Sequence, residues 1–238
     1  MHTRTLYRLV RPTARAITWL PLAVGAALGL VIVLVPAALT AKLTAAQLAD
    51  LVRIAATCVA LGAAFLLDDP ASRSTPTVPT SRLARNLVRV FVAVPVMALW
   101  WAATGLAATA GNAAVHLPAA ALSLEAATLV AAALALAAVA QRHTTDGNTG
   151  VIAAPAVLVL AAVLWFLPHR MALVVAPADP HWTAAHQRWA TVLAAACVAF
   201  LWAGRRDSST GWLAWSRGNR GVRSDPRRSR QDAAGATR

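Results

Sequence analysis

The sequence predicts an all-α, polytopic membrane helical bundle of about six transmembrane helices, with the N- and C-termini both in the cytoplasm. Three observations carry this expectation. Hydrophobic residues make up 58% of the 238 positions and charged residues 13%, with a mean hydropathy of +0.59; soluble domains carry about 25% charged residues. Six apolar runs succeed one another, at roughly 17–40, 49–67, 87–110, 117–140, 151–167 and 185–204, against the ~20 residues that one crossing requires. The arginines are confined largely to the segments between the runs. A net charge of +13 on a polar fold would point to nucleic acid, but arginines placed between apolar runs set orientation in a membrane instead. The expected location is the cell membrane, multi-pass, with no nucleic-acid partner.

Residues 1–16 form a basic arm. Arg4, Arg8, Arg11 and Arg15 fall within one narrow stripe if the arm is helical. The arm is either a positive flank that holds the first span or a short helix lying in the cytoplasmic interface. Pro12 ends any such helix. The first run is too long for the ~7–15-residue core of a signal peptide. It contains Gly25 and Gly29, a GxxxG pair that lets helices approach closely in lipid. Pro36, Pro95 and Pro155 lie inside runs one, three and five, where neighbouring helices can re-satisfy the freed backbone groups. The fifth run is short, so five spans is the fallback count.

The segment between runs two and three, 68–89, is the longest polar interruption. Pro70, Pro76 and Pro79 require an irregular first half. After them Thr80 or Ser81 can cap a helix, on which Arg82, Arg85 and Arg89 recur on one face. This short amphipathic helix is expected to run directly into the third span. Asp68 and Asp69 close the second span at the same side, where acids oppose the helix macrodipole. Either they solvate a helix end or they meet basic residues on a partner.

The basic residues set the orientation. With the N-terminus inside, all of them but Lys42, Arg53, Arg170 and Arg188 face the cytoplasm. The tail from Arg205 onward lacks any apolar period and is expected to be disordered and drawn to anionic lipid. The loop 141–150 reads as a tight turn at Asp146-Gly147.

Glu125 is the most informative residue inside a run. It sits about 12 Å from the outer end of the fourth span at ~1.5 Å per residue, where an unpaired charge costs about 2.5–3.5 kcal/mol or more. It must therefore face the bundle interior, be protonated or have a partner. Arg53 lies in the outer half of the second span; it can reach Glu125, or it can snorkel outward and pair with Asp50. Trp19, Trp165, Trp182, Trp189, Trp202, Trp212 and Trp215 fall near span ends and read as interface anchors. Trp100 and Trp101 sit deeper, where one of them can line a cavity. The candidate translocation path is thus Glu125, Arg53, Trp100 and Trp101.

Catalytic chemistry has no motif to stand on. There is no GxxxxGK[ST] phosphate loop, no GxSxG turn and no HExxH helix. His169, Asp179, His181 and His186, in the connector Pro168 to Arg188 behind the fifth run, match no metal-ligand spacing. Cys58 and Cys197 read as small core residues. No catalytic, cofactor-binding or metal-ligating residue is assigned.

The stretch GAAFLLDDPASRSTPTVPTSRLARNLVRVFVAVPVMALWW, Gly62 to Trp101, resembles one found in actinobacterial ABC transporter membrane proteins. The six-span plan with a basic N-terminal arm is similar to that of ABC-2-type permeases. The local likeness covers about a sixth of the chain and the plan most of it. The resemblance implies a permease that works as an exporter and is not itself an enzyme. ATP would be bound and hydrolysed by a separate ATP-binding subunit on the cytoplasmic face, and a second permease copy would complete a dimer. Matched by position, the coupling helix of that family falls in 68–89, with Asp68, Asp69, Arg82, Arg85 and Arg89 as candidate coupling residues. Residues 3–11 match its interfacial helix and 168–188 its outer segment between the last two spans. The long arginine-rich tail departs from the family plan.

Two other classes stay open from the residues alone. One is a gradient-driven carrier with Glu125 as its protonatable site; the other is a non-transporting membrane scaffold in which Glu125 serves helix packing.

Overall fold

In the computed structural model, residues 18–39, 42–68, 82–110, 115–144 and 148–205 are described. The basic arm, Asp69 with the rest of 69–81, the Asp146-Gly147 turn and the tail beyond Arg205 lie outside the described residues. Six α-helices occur among them: α1 (Trp19–Ala38), α2 (Ala45–Ala63), α3 (Arg82–Ala110), α4 (Ala119–His143), α5 (Gly150–Trp165) and α6 (Trp182–Gly204). No strand is found in the described residues. Helices α1 to α4 are long and apolar enough to cross a membrane; α5, at 16 residues, is apolar but shorter.

Local chemistry sets several boundaries. Thr44 and Gln47 form a reciprocal capping box: the Gln47 amide donates to Thr44 Oγ1 at 3.3 Å and the Thr44 amide to Gln47 Oε1 at 2.9 Å. This box starts α2 at Ala45, ahead of the apolar run, because a capped helix start tolerates the polar Gln47 and Asp50. Helix α3 is unbroken from Arg82 through Pro95 to Ala110, so the basic segment and the third run are one rod. At ~1.5 Å per residue, α5 spans about 24 Å. Beyond α5 the chain folds back inward. A 3₁₀ turn at His169–Met171 leads into Ala172, Leu173 and Val175, all buried.

Helices α2 and α4 form the centre. Of their apolar windows 56% is buried, against 17% in α1 and 11% in α3. Helix α1 packs on α2 and α3, α6 on α4, and α5 on α4 and α2. The outer helices carry exposed apolar side chains, among them Leu28, Phe91, Leu99, Val159, Phe166 and Val198. A water-exposed monomer rarely shows such patches at this extent, whereas lipid would cover them. Cys197 is exposed, and only Cys58 lies in the interior. Trp189 is also no surface anchor. It is 2% exposed, and its indole donates to the Leu173 carbonyl at 2.9 Å.

The GxxxG pair packs α1 on α2, as its spacing suggested. A Cβ on Gly25 would collide with the Cys58 carbonyl oxygen, and one on Gly29 would stand 2.9 Å from that of Ala55. From the other side, a Cβ on Gly62 would lie 2.7 Å from Leu22 Cα. Gly25→Val is therefore expected to cost about 1–3 kcal/mol or more, because backbone must move apart. Thermal unfolding in detergent checks this, with Gly105→Val, which meets nothing within 4 Å, remaining near wild type.

Candidate functional site

Two polar clusters sit at opposite ends of the bundle. The first gathers the starts of α2, α4 and α6. Arg53 on α2 makes a two-pronged contact with Glu125 on α4: Nε donates to Oε2 at 2.7 Å and one terminal nitrogen to Oε1 at 3.0 Å. That same nitrogen donates to the Val175 carbonyl at 2.8 Å, and the other donates to Asp50 Oδ1 at 3.0 Å. Both partners open from the sequence are thus taken at once. Arg53 is 5% exposed and Glu125 2%, while the Asp50 side chain is 43% exposed. The planar guanidinium matches a carboxylate in this geometry, and the extra acceptors occupy its remaining donors.

His186, one turn into α6, completes the cluster. Its Nε2 lies 3.0 Å from Glu125 Oε1. Its ring is turned so that this approach is not a hydrogen bond, and Nε2 is the one buried side-chain polar atom among the described residues without such a bond. Its Nδ1 lies 2.8 Å from the Trp182 carbonyl, and the Trp182 ring stands 4.2 Å away. Among the described residues, no three of His, Cys, Asp or Glu are placed to hold one metal ion.

Next to this cluster is a cavity with about 30 Å³ of space for water, lined by Arg53, Thr57 and Glu125 and otherwise by apolar groups such as Leu129, Leu164 and Trp189. It can take one or two waters. Ligand pockets are roughly ten times larger.

The second cluster lies at the other end, where α2, α4 and α6 finish and α3 and α5 begin. Asp68 is buried, and its Oδ1 accepts from Thr149 Oγ1 and from the Gly150 amide, both at 2.8 Å. It therefore caps the N-terminus of α5, where an anion is favourable. Arg89 is 5% exposed and donates to the carbonyls of Leu67 at 3.0 Å and Asp68 at 2.9 Å. Gln141 Nε2 donates to the same Leu67 carbonyl at 2.6 Å, and Asn86 donates to Gln141 Oε1 at 3.0 Å. The carbonyls of the turn that follows α2 are thus answered by side chains from α3 and α4. Arg142 donates to the Arg205 carbonyl at 3.2 Å and stacks 4.1 Å over the Trp202 ring. Thr18, just before α1, donates to the Phe65 carbonyl at 3.0 Å, so the described chain begins and ends at this one end of the bundle.

The expected site residues thus separate into three groups. Arg53 and Glu125 meet. Trp100 and Trp101 do not line their cavity; each indole bridges helices, Trp100 to the Ala26 carbonyl on α1 and Trp101 to Ser123 Oγ on α4, both at 2.8 Å. Asp68 and Arg89 are buried, Asp68 at the start of α5 and Arg89 against the carbonyls that follow α2. Arg82, exposed at the start of α3, donates to the Gln141 carbonyl at 3.3 Å, and Arg85 is half-buried. Reasoning from the sequence did not bring His186, Gln141, Asn86 or Thr149 into these clusters. The last three were polar residues in or beside apolar stretches, and that was the available signal.

No protein-family model, curated protein or solved structure matches the chain.

Proposed function

We propose that this chain is the six-span permease subunit of an ATP-driven transporter in the cell membrane, an exporter energised by a separate ATP-binding subunit. The observation that carries the reading is the unbroken helix α3. Its basic first turns sit at the end of the bundle where α2 and α4 finish, and 29 residues of continuous helix connect them to the far end. Arg89 and Asn86 bind that start to the turn after α2 and to α4. A push on the segment before Arg82 would therefore be passed along α3 as a rigid body and to its neighbours. Both termini and this end are cytoplasmic in the reading, in keeping with the inward bias of the arginines.

With Asp68 engaged by α5, docking falls to Arg82, Arg85 and the 69–81 segment. The cavity beside Glu125 is too small for a solute, which favours a path between two permease copies over one through a single bundle. Glu125 is held on both oxygens by Arg53, which weighs against its being the carrier site of a gradient-driven transporter.

The test is purification in mild detergent from the native host, followed by ATPase assay. The expected result is a co-purifying nucleotide-binding subunit and vanadate-sensitive hydrolysis. Repeated purification without such a subunit would remove the proposal. A topology check accompanies it: with Cys58 and Cys197 replaced by serine, a cysteine placed at Ser74 should resist an impermeant maleimide on intact cells and react after permeabilisation. Labelling from the outside would turn the orientation over.

A further inference from the structure

We propose that His186 and Glu125 hold an exchangeable proton that latches α6 and the connector 166–181 onto the α2–α4 core. Such a latch needs no ATP-binding partner. It rests on hydrogen-bond complementarity. The Trp182 carbonyl can only accept, so the hydrogen of the His186 ring that faces it sits on Nδ1. In a neutral ring this leaves Nε2 with a bare lone pair. That lone pair would stand 3.0 Å from Glu125 Oε1, an oxygen already accepting from Arg53. Two electron-rich atoms at that separation repel each other, and a positive charge on the ring turns the repulsion into attraction. Arg53 engages both Glu125 oxygens as a carboxylate, so the proton belongs on His186.

Charge counting agrees. Glu125 from α4 faces the ring, and Glu125 in turn meets Arg53 from α2, which also binds Asp50 and the Val175 carbonyl of the connector. The α5 residues in this region, Ala161, Leu164 and Trp165, bring no charge. On α6 itself Arg188 is directed to the carbonyls of Arg170 and Ala172, and Asp179 of the connector pairs with His181. One arginine therefore meets two carboxylates, and a proton on His186 makes the cluster neutral. The approach of Nε2 to Oε1 is electrostatic and poorly aligned. No hydrogen bond has to break for the proton to leave. Once it leaves, α6 is repelled from α4 at this point, and the connector, held by the Arg53–Val175 contact and by Arg188, loses part of its support. The proton enters and leaves as such, with no other bond made or broken.

Nitrogen-15 NMR of the histidine ring provides the test. A variant with His2, His116, His143, His169 and His181 changed to glutamine keeps His186 as the one imidazole; of those five, His116, His143 and His181 are exposed. As the pH is raised, an imidazolium should give way to a neutral ring carrying its hydrogen on Nδ1, the tautomer less common in water. A neutral ring with hydrogen on Nε2, or a ring that keeps one form throughout, overturns the proposal. Hydrogen exchange of 172–176 and 182–189, corrected for its intrinsic pH dependence, reads the latch. Protection should fall as the ring loses its proton, and in His186→Gln it should no longer depend on pH. Equal pH dependence in the two proteins overturns the latch even if the ring titrates.

Discussion

Arg53→Met is expected to abolish stable folding in detergent, or to lower Tm by far more than any single apolar change in the bundle. The reason is the partner left behind. Glu125 is 2% exposed, and without Arg53 its carboxylate stays in the interior with only the ill-aligned His186 nearby. Breaking a buried pair from one side costs about 3–5 kcal/mol, while replacing both members with well-packed apolar groups is often close to neutral. The double variant Arg53→Met/Glu125→Leu should therefore recover most of the lost stability. Thermal unfolding of the four proteins of this cycle checks the claim. If the double variant is as unstable as Arg53→Met, the pair does more than balance its own charges. Asp50→Asn should matter much less, because the Asp50 side chain is 43% exposed and the Glu125 pair stays in place.

Asp68→Ala should give the second large loss, at the opposite end of the bundle. It strands the Thr149 hydroxyl and the Gly150 amide, both buried, at about 1–3 kcal/mol for each unsatisfied group. Asp68→Asn is expected to be milder, because both donors converge on one oxygen, Oδ1, that an amide oxygen can replace. Thermal unfolding and hydrogen exchange at the start of α5 distinguish the two variants. Equal losses would mean that the negative charge at the α5 N-terminus, and not the acceptor, is what matters. If the 69–81 segment docks a motor subunit, Asp68→Asn should also keep any ATPase activity, whereas Arg82→Glu/Arg85→Glu should reduce it.

The pairing of Arg53 with Glu125 was open to sequence reasoning. Each is an ionisable residue in the first half of an apolar run, and a buried charge in lipid requires a partner. The choice between Asp50 and Glu125 was a false one, since a guanidinium has five donors and the structure gives it both. His186 was out of reach. Its place beside Glu125 depends on how the connector after α5 folds inward through Leu173 and Val175, which no local periodicity encodes. Asp68 follows the second span in sequence, but its carboxylate serves the start of α5 in space. The start of α2 was legible in Thr44 and Gln47, a capping pair that the hydrophobic pattern outweighed.

Helical content, the succession of six apolar segments and the close α1–α2 contact at Gly25 and Gly29 are written into the order of residues. They arise from composition, periodicity and side-chain size, which act over one or two turns. Which polar groups spend their charge on one another is settled at the level of packed helices. Hydrogen bonds between residues such as Asp68 and Gly150, or Arg53 and Val175, form only when whole helices dock. In an apolar interior that docking leaves each buried charge few acceptable partners.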